Sequence, residues 1–242
     1  FVMLLVVLCG LVMVNHLISS SDVSKLEEPE PRPTFIYDQN GEIVSKISNA
    51  NIEGVDLDQI PKELIEAVIS VEDQQFYKHG GINYFGIARA FTQNLLKGKV
   101  VAGGSTITQQ LSKNEFLTQE RTYSRKFKEL ILTKKIERTY SKDEILERYL
   151  NQIYFGEGAW GVQRAAHIYF GKDVSDLTLS ESATLAGLIK APTHYSPYKH
   201  MEKSVERRNV VLSLMKSEKY ISQAEFEEAI GQEMVLADST IT

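Results

Sequence analysis

Glu72 and Asp73 are adjacent carboxylates at the end of a helical pattern that starts after Pro61 and reads KELIEAVISVED. At about 100° per residue, Glu72 falls inside the apolar stripe of Leu64, Ile65, Val68 and Ile69. Asp73 falls beside Glu66 on the polar face. The pattern therefore predicts a desolvated Glu72 near a helix C-terminus and a solvated Asp73. Desolvation and the helix dipole both disfavour the Glu72 anion. A carboxylate tuned upward in this way suits general acid or base work near neutral pH.

A second set of residues is cationic and polar. Gly103-Gly104-Ser105-Thr106 reads as a loop that enters a helix, and a helix N-terminus attracts phosphate-like anions. Thr106, Gln109, Gln110 and Lys113 then recur at i, i+3, i+4 and i+7, with Ile107 and Leu111 on another face. The stretch from Lys113 to Lys142 carries a basic excess in a chain of formal charge −5, and Arg125-Lys126 is its densest pair. Such a patch suits a polyanionic ligand or an anionic membrane surface. A solvated helix with i,i+4 pairs, such as Glu129 with Arg125, explains the same segment. Further on, Glu147 flanks the apolar stripe of Ile145, Leu146, Tyr149 and Leu150, one turn from Asn151. A half-buried Glu beside an Asn can position a ligand, bind a metal or brace its neighbours. A rim salt bridge to Arg148 or Arg207 is the structural alternative.

The elements that must position these groups read as mainly helical. Ser141-x-x-Glu144, Thr178-x-x-Glu181 and Ser222-x-x-Glu225 are capping boxes that start helices. Phe35 to Ser45 reads as a hairpin around Asn40-Gly41. Strand-like segments are scarce after residue 60. Two short patterns carry no weight. Gly156-Glu-Gly158-Ala-Trp-Gly161 fits the dinucleotide fingerprint but is not preceded by the strand that the fingerprint requires. Ser196-Pro-Tyr-Lys199 and Ser213-Leu-Met-Lys216 fit S-x-x-K without the companion elements of acyl-serine enzymes.

The ends differ from the middle. Phe1 to Val14 is apolar apart from one Gly, and Leu17-Ile18 extends the run to the length of a bilayer span. No Ala-x-Ala-like site favours cleavage, so the run reads as a retained anchor. Residues 19–34 are rich in Ser, Glu and Pro and read as an extended linker on the outer side. Residues 35–232 form the expected helical domain. Residues 233–242 lose periodicity and read as the start of a linker to a further C-terminal domain. With 242 residues and 43% hydrophobic composition, the chain is neither disordered nor a repeat. Its acidic balance argues against a nucleic-acid partner. Cys9 is the single cysteine, so no intramolecular disulfide is possible.

Five ordered motifs resemble the family 51 glycosyltransferases, the peptidoglycan polymerases of class A penicillin-binding proteins and monofunctional transglycosylases. The first, E-D-x-x-F-x-x-H-x-G, is matched by Glu72, Asp73, Phe76, His79 and Gly81. The second, G-x-S-T-I-T-Q-Q-L-x-K-N, spans Gly103 to Asn114. The third, R-K-x-x-E, is Arg125, Lys126 and Glu129. The fourth, I-L-E-x-Y-L-N, runs from Ile145 to Asn151. The fifth runs from Tyr154 through Ala165-Ala166 to Lys172.

The resemblance implies a mainly α, lysozyme-like fold with a smaller membrane-facing jaw behind one transmembrane helix. It implies a single-pass protein of the bacterial cytoplasmic membrane with its catalytic domain on the extracytoplasmic side. Its implied reaction polymerises lipid II into β-1,4 glycan strands with inversion and release of undecaprenyl pyrophosphate. Glu72 is then the general base. Lys113, Arg125 and Lys126 hold the pyrophosphate. Ser105, Gln109, Gln110 and Asn114 orient sugar and phosphate, and Arg89 fits a recurrent basic position. Glu147 resembles the family's second catalytic glutamate, which positions the donor or shares a divalent cation, Mg2+ or Mn2+, and Asn151 is implied to bind substrate. No organic cofactor is implied. The implied partners are lipid II, the growing strand, the membrane and other cell-wall synthesis proteins. A lysozyme-like hydrolase needs a proton donor but no pyrophosphate site. A non-catalytic lipid II-binding scaffold needs no carboxylate pair. The cation cluster and intact carboxylates favour the polymerase over both.

Overall fold

The computed structural model describes residues 2–27, 34–37, 43–47, 54–97, 103–117 and 122–237. In chain order its helices are α1 (Val2–Ser20), α2 (Lys62–Glu72), α3 (Tyr84–Lys97), α4 (Ile107–Phe116), α5 (Tyr123–Thr139), α6 (Lys142–Gln152), α7 (Val162–Phe170), α8 (Leu179–Leu188), α9 (Pro192–Tyr195), α10 (Met201–Ser217) and α11 (Gln223–Gly231). The strands are β1 (Thr34–Tyr37), β2 (Ile43–Ile47), β3 (Tyr154–Gly156) and β4 (Ala159–Trp160). The chain is mainly helical, as its periodicity predicts. It divides into two compact units, one of residues 1–29 and 75–146, the other of residues 30–74 and 147–242.

The first unit holds α1, α3, α4, α5 and the first turns of α6. Thr106 caps α4 by accepting the Gln109 N–H at 3.1 Å, and Gln109 Oε1 accepts the Thr106 N–H in return at 3.0 Å. Thr122 caps α5 through the Arg125 N–H. The loop before α3 is tied down from both helices. Thr106 Oγ1 donates to the Gly81 carbonyl at 2.6 Å, and Lys134 Nζ donates to the Gly80 carbonyl at 2.6 Å. Gly81 has φ +85°, and a Cβ there would meet Glu137 Cγ and Thr133 Cγ2 at 2.8 Å. Only glycine fits this backbone and this contact. Phe76 is fully buried, and Lys142 Nζ lies 4.4 Å over its ring.

α1 is long and apolar enough to cross a membrane. It packs on α5, and a 3-10 turn at Ser24–Glu27 follows it. Val23 and Leu26 are buried there.

In the second unit α8 is buried on almost all sides and packs against α2 and α10. Its run of Ala183, Leu185, Ala186 and Leu188 suits a central helix. The capping boxes predicted at Thr178–Glu181 and Ser222–Glu225 start α8 and α11. β1 and β2 form the expected antiparallel hairpin, although the Asn-Gly turn lies outside the described residues. Buried Arg208 donates to Ser180 Oγ and to the carbonyls of Gln232 and Ile230, which fixes the end of α11. Residues beyond it still pack on this unit: Ala237 N–H donates to the Tyr169 carbonyl.

The glycine-rich segment forms a hairpin, β3–β4, which turns at Glu157 and Gly158 and leads into α7. A strand does precede the turn, but the chain reverses instead of entering a helix. Gly156, Glu157, Gly158 and Gly161 all have positive φ, as this turn requires. Ser196 and Lys199, one of the S-x-x-K pairs, both donate to Glu157 Oε1 at 2.8 Å. The Lys199 bond, followed by that from Ser196, holds the Glu157 carboxyl below its ordinary value.

Candidate functional site

In the second unit the carboxylates sit where α2 ends. Glu72 is the last helical residue and is half-buried. Asp73 is the C-cap, with φ −159°, and its N–H donates to the Ile69 carbonyl at 3.0 Å. The prediction for Asp73 fails: it is 5% exposed, more enclosed than Glu72. A wheel projection assumes helical φ and ψ through every residue. The chain leaves the helix at Asp73 and turns that side chain inward. Glu66 also departs from a simple polar face, since its side chain is only 12% exposed although it pairs with Lys62.

Tyr149 belongs with these acids. It is fully buried on α6, and burial pushes its phenol well above the ordinary value. The negative charges of Glu72 and then Asp73 push in the same direction. In the sequence Tyr149 reads only as part of the apolar stripe of its helix. The available signal was its hydroxyl, which a buried tyrosine must satisfy.

Glu147 and Asn151 project from α6 in the same unit. Glu147 Oε2 accepts the Leu57 N–H at 2.8 Å. Asn151 Oδ1 accepts the Val55 N–H at 3.0 Å, and its Nδ2 donates to the Val55 carbonyl at 2.8 Å. Both side chains thus hold the segment that leads into α2. Through the Leu57 contact Glu147 braces its neighbours. Gly161 must approach this helix end closely, since a Cβ on it would lie 2.4 Å from the Asn151 carbonyl oxygen.

The polar and cationic groups sit in the first unit. On α4, Ile107, Thr108, Leu111 and Ser112 face inward. Ser105, Lys113 and Asn114 are exposed, and Gln110 is partly so. Gln109 is buried and engaged in the cap with Thr106. The expected four-residue polar face therefore divides into an internal pair and an outward-facing set. The T-x-x-Q spacing of a capping box was the signal for that division.

On α5 the buried Glu129 carboxylate receives two cations. Arg125 Nη1 donates to Oε2 at 3.1 Å, and Lys126 Nζ contacts Oε1. Glu129 is 2% exposed, so these are not the solvated surface pairs that i,i+4 spacing alone suggests. The backbone carbonyl of Glu129 accepts from Thr133 Oγ1 at 2.7 Å and from Ser112 Oγ at 3.3 Å, which ties α5 to α4. Arg125 Nε is buried with no hydrogen-bond partner among the described residues. Arg89 is exposed on α3. Around it Phe85, Phe91, Leu95 and Leu96 are also exposed.

The transglycosylase family model matches residues 40–216. The chain is 50% identical over 201 residues to penicillin-binding protein 1F of Bacillus subtilis, covering 83% of this chain and 28% of that protein. It is 47% identical over 206 residues to penicillin-binding protein 1A of Aquifex aeolicus, covering 85% and 28%. With penicillin-binding protein 1A of Escherichia coli the identity is 48% over 208 residues, covering 86% and 24%. The chain belongs to the transglycosylase family, the peptidoglycan glycosyltransferases. Its mainly helical fold behind one apolar N-terminal helix is consistent with the lysozyme-like architecture of that family. The chain spans about a quarter of the length of these relatives.

Proposed function

We propose that the chain polymerises lipid II on the outer face of the cytoplasmic membrane. The 4-hydroxyl of the acceptor sugar attacks the anomeric carbon of the donor strand. The bond from that carbon to the α-linked pyrophosphate breaks, and a β-1,4 bond forms with inversion. Glu72 takes the hydroxyl proton. Lys113, Arg125 and Lys126 receive the charge on the departing undecaprenyl pyrophosphate.

The observation that carries this reading is the Arg125–Lys126–Glu129 arrangement. Two cations share one buried carboxylate, so the cluster keeps a positive excess. Arg125 Nε remains a buried donor that calls for an oxygen. A cleaving enzyme has no use for such a site. Ser105, in the loop just before α4, and Gln110 and Asn114 on α4 orient sugar and phosphate. Gln109 acts through the cap that sets the start of that helix. Arg89, among exposed aromatic and aliphatic side chains on α3, suits a lipid-linked phosphate. Glu147 and Asn151 hold the approach to α2. Glu147 Oε1 is a hard oxygen donor of the kind a divalent cation takes, and such a cation would help to neutralise the pyrophosphate.

Polymerisation of labelled lipid II in detergent with Mg2+ or Mn2+ tests the reading. Glu72→Gln is expected to lower glycan formation by roughly 10²–10⁴-fold, the range of a positioned general base. Glycan formation by this variant within tenfold of the parent overturns the assignment of Glu72. Binding of lipid II without glycan from the parent overturns the polymerase reading for this chain.

A further inference from the structure

The apolar run that qualifies as a membrane span is longer than the surface it can offer to lipid. The qualifying window is Val7–Leu26. Leu8, Leu11, Val12, Met13 and Val14 are exposed, as a lipid-facing helix requires. Ile18, Val23 and Leu26 are instead buried at 5%, 5% and 1% exposure. They belong to the core of the first unit, where α1 packs on α5. The change falls at Asn15, which accepts from Arg138 Nη1 at 2.9 Å. One turn later Lys135 Nζ donates to the Ser19 carbonyl at 3.1 Å. The exposed apolar surface on this side of α1 therefore ends next to Asn15, and the end of α5 packs beside that point.

The two α5 cations differ. Lys135 has the Asp22 carboxylate within electrostatic reach. Arg138 is exposed and pairs with no carboxylate among the described residues. Among the described residues its bond to Asn15 uses one of five N–H donors, and the rest of the fork can donate to phosphate oxygens. A guanidinium held beside the end of a lipid-facing helix stands where phospholipid phosphates lie.

We propose that Arg138 binds the phosphate of an anionic phospholipid and thereby fixes how deeply the anchor sits. This rests on reading α1 as a membrane anchor. It does not depend on the catalytic assignments.

The test uses the full chain in nanodiscs of equal phosphatidylglycerol and phosphatidylcholine, with retained lipids measured by native mass spectrometry. The parent is expected to retain phosphatidylglycerol preferentially. Arg138→Gln is expected to reduce that preference roughly fivefold, the scale of one surface cation near an anionic membrane. Lys25→Gln, at a lysine already paired with Glu115 at 3.3 Å, is expected to leave it unchanged. An unchanged preference in Arg138→Gln overturns the proposal. An equal fall in both variants also overturns it, because general charge would then explain the selection. Loss of preference in the parent on adding inorganic phosphate marks a small-anion site and overturns the lipid assignment. Glycan formation is read from the same preparations. Arg138→Gln keeps it, which reports an intact fold. Failure of the parent to polymerise would count against the catalytic reading and leave the lipid result standing.

Discussion

Glu129→Ala removes the anion that Arg125 and Lys126 share among the described residues, and its cost can be worked from burial. The carboxylate side chain is 3% exposed, and those of Arg125 and Lys126 are 18% and 44% exposed. Breaking a buried pair by deleting one partner costs about 3–5 kcal/mol, because a buried charge loses its counter-ion. Lys126 can turn to water, so it adds little. Arg125 is enclosed and bears most of the loss. The expected destabilisation is therefore about 2–4 kcal/mol. For a chain of this size that is a fall in Tm of roughly 4–16 °C. Glu129→Gln keeps an acceptor and is expected to lose less. Circular dichroism melts of the parent and both variants measure it. An alanine variant that melts within about 1 °C of the parent refutes the buried clamp.

Gly161→Ala places a methyl group 2.4 Å from the Asn151 carbonyl oxygen at φ +80°, so a loss of about 1–3 kcal/mol is expected, read as a lower denaturation midpoint. Tyr149 and Tyr220 have phenols raised by burial, with nearby carboxylate charge adding. Their stabilisation is complete below the unfolded tyrosine value of about 10 and is lost as pH rises through the higher folded values. Alkaline titration followed at the tyrosinate band is therefore expected to show late ionisation coupled to unfolding, and Tyr149→Phe is expected to weaken the coupling. Free titration of every tyrosine near pH 10 in the folded protein contradicts this.

Side-chain periodicity and caps are local properties, and these were legible. The helix starts at Thr178 and Ser222 follow from a hydroxyl and a carboxylate three residues apart. The acid pair at Glu72–Asp73 was visible as chemistry, but the orientation of Asp73 was not. That orientation depends on where the backbone leaves α2, and a helical projection cannot contain its own end. The paired roles of Asn151 and Glu147 depend on Val55 and Leu57, about ninety residues earlier. No periodic pattern reports a contact at that separation. Arg125 and Glu129 showed the reverse case. Their spacing announced the pair, but only tertiary packing reveals that the carboxylate is enclosed.

The three bonds from Asn151 and Glu147 to Val55 and Leu57 also have a mechanical consequence. These residues lie just ahead of the helix that presents Glu72. Tension in the preceding chain meets this clasp before it can reach α2. The acid at the far end of that helix is thereby isolated from movement upstream, much as a cleat keeps the load on a rope from the knot behind it.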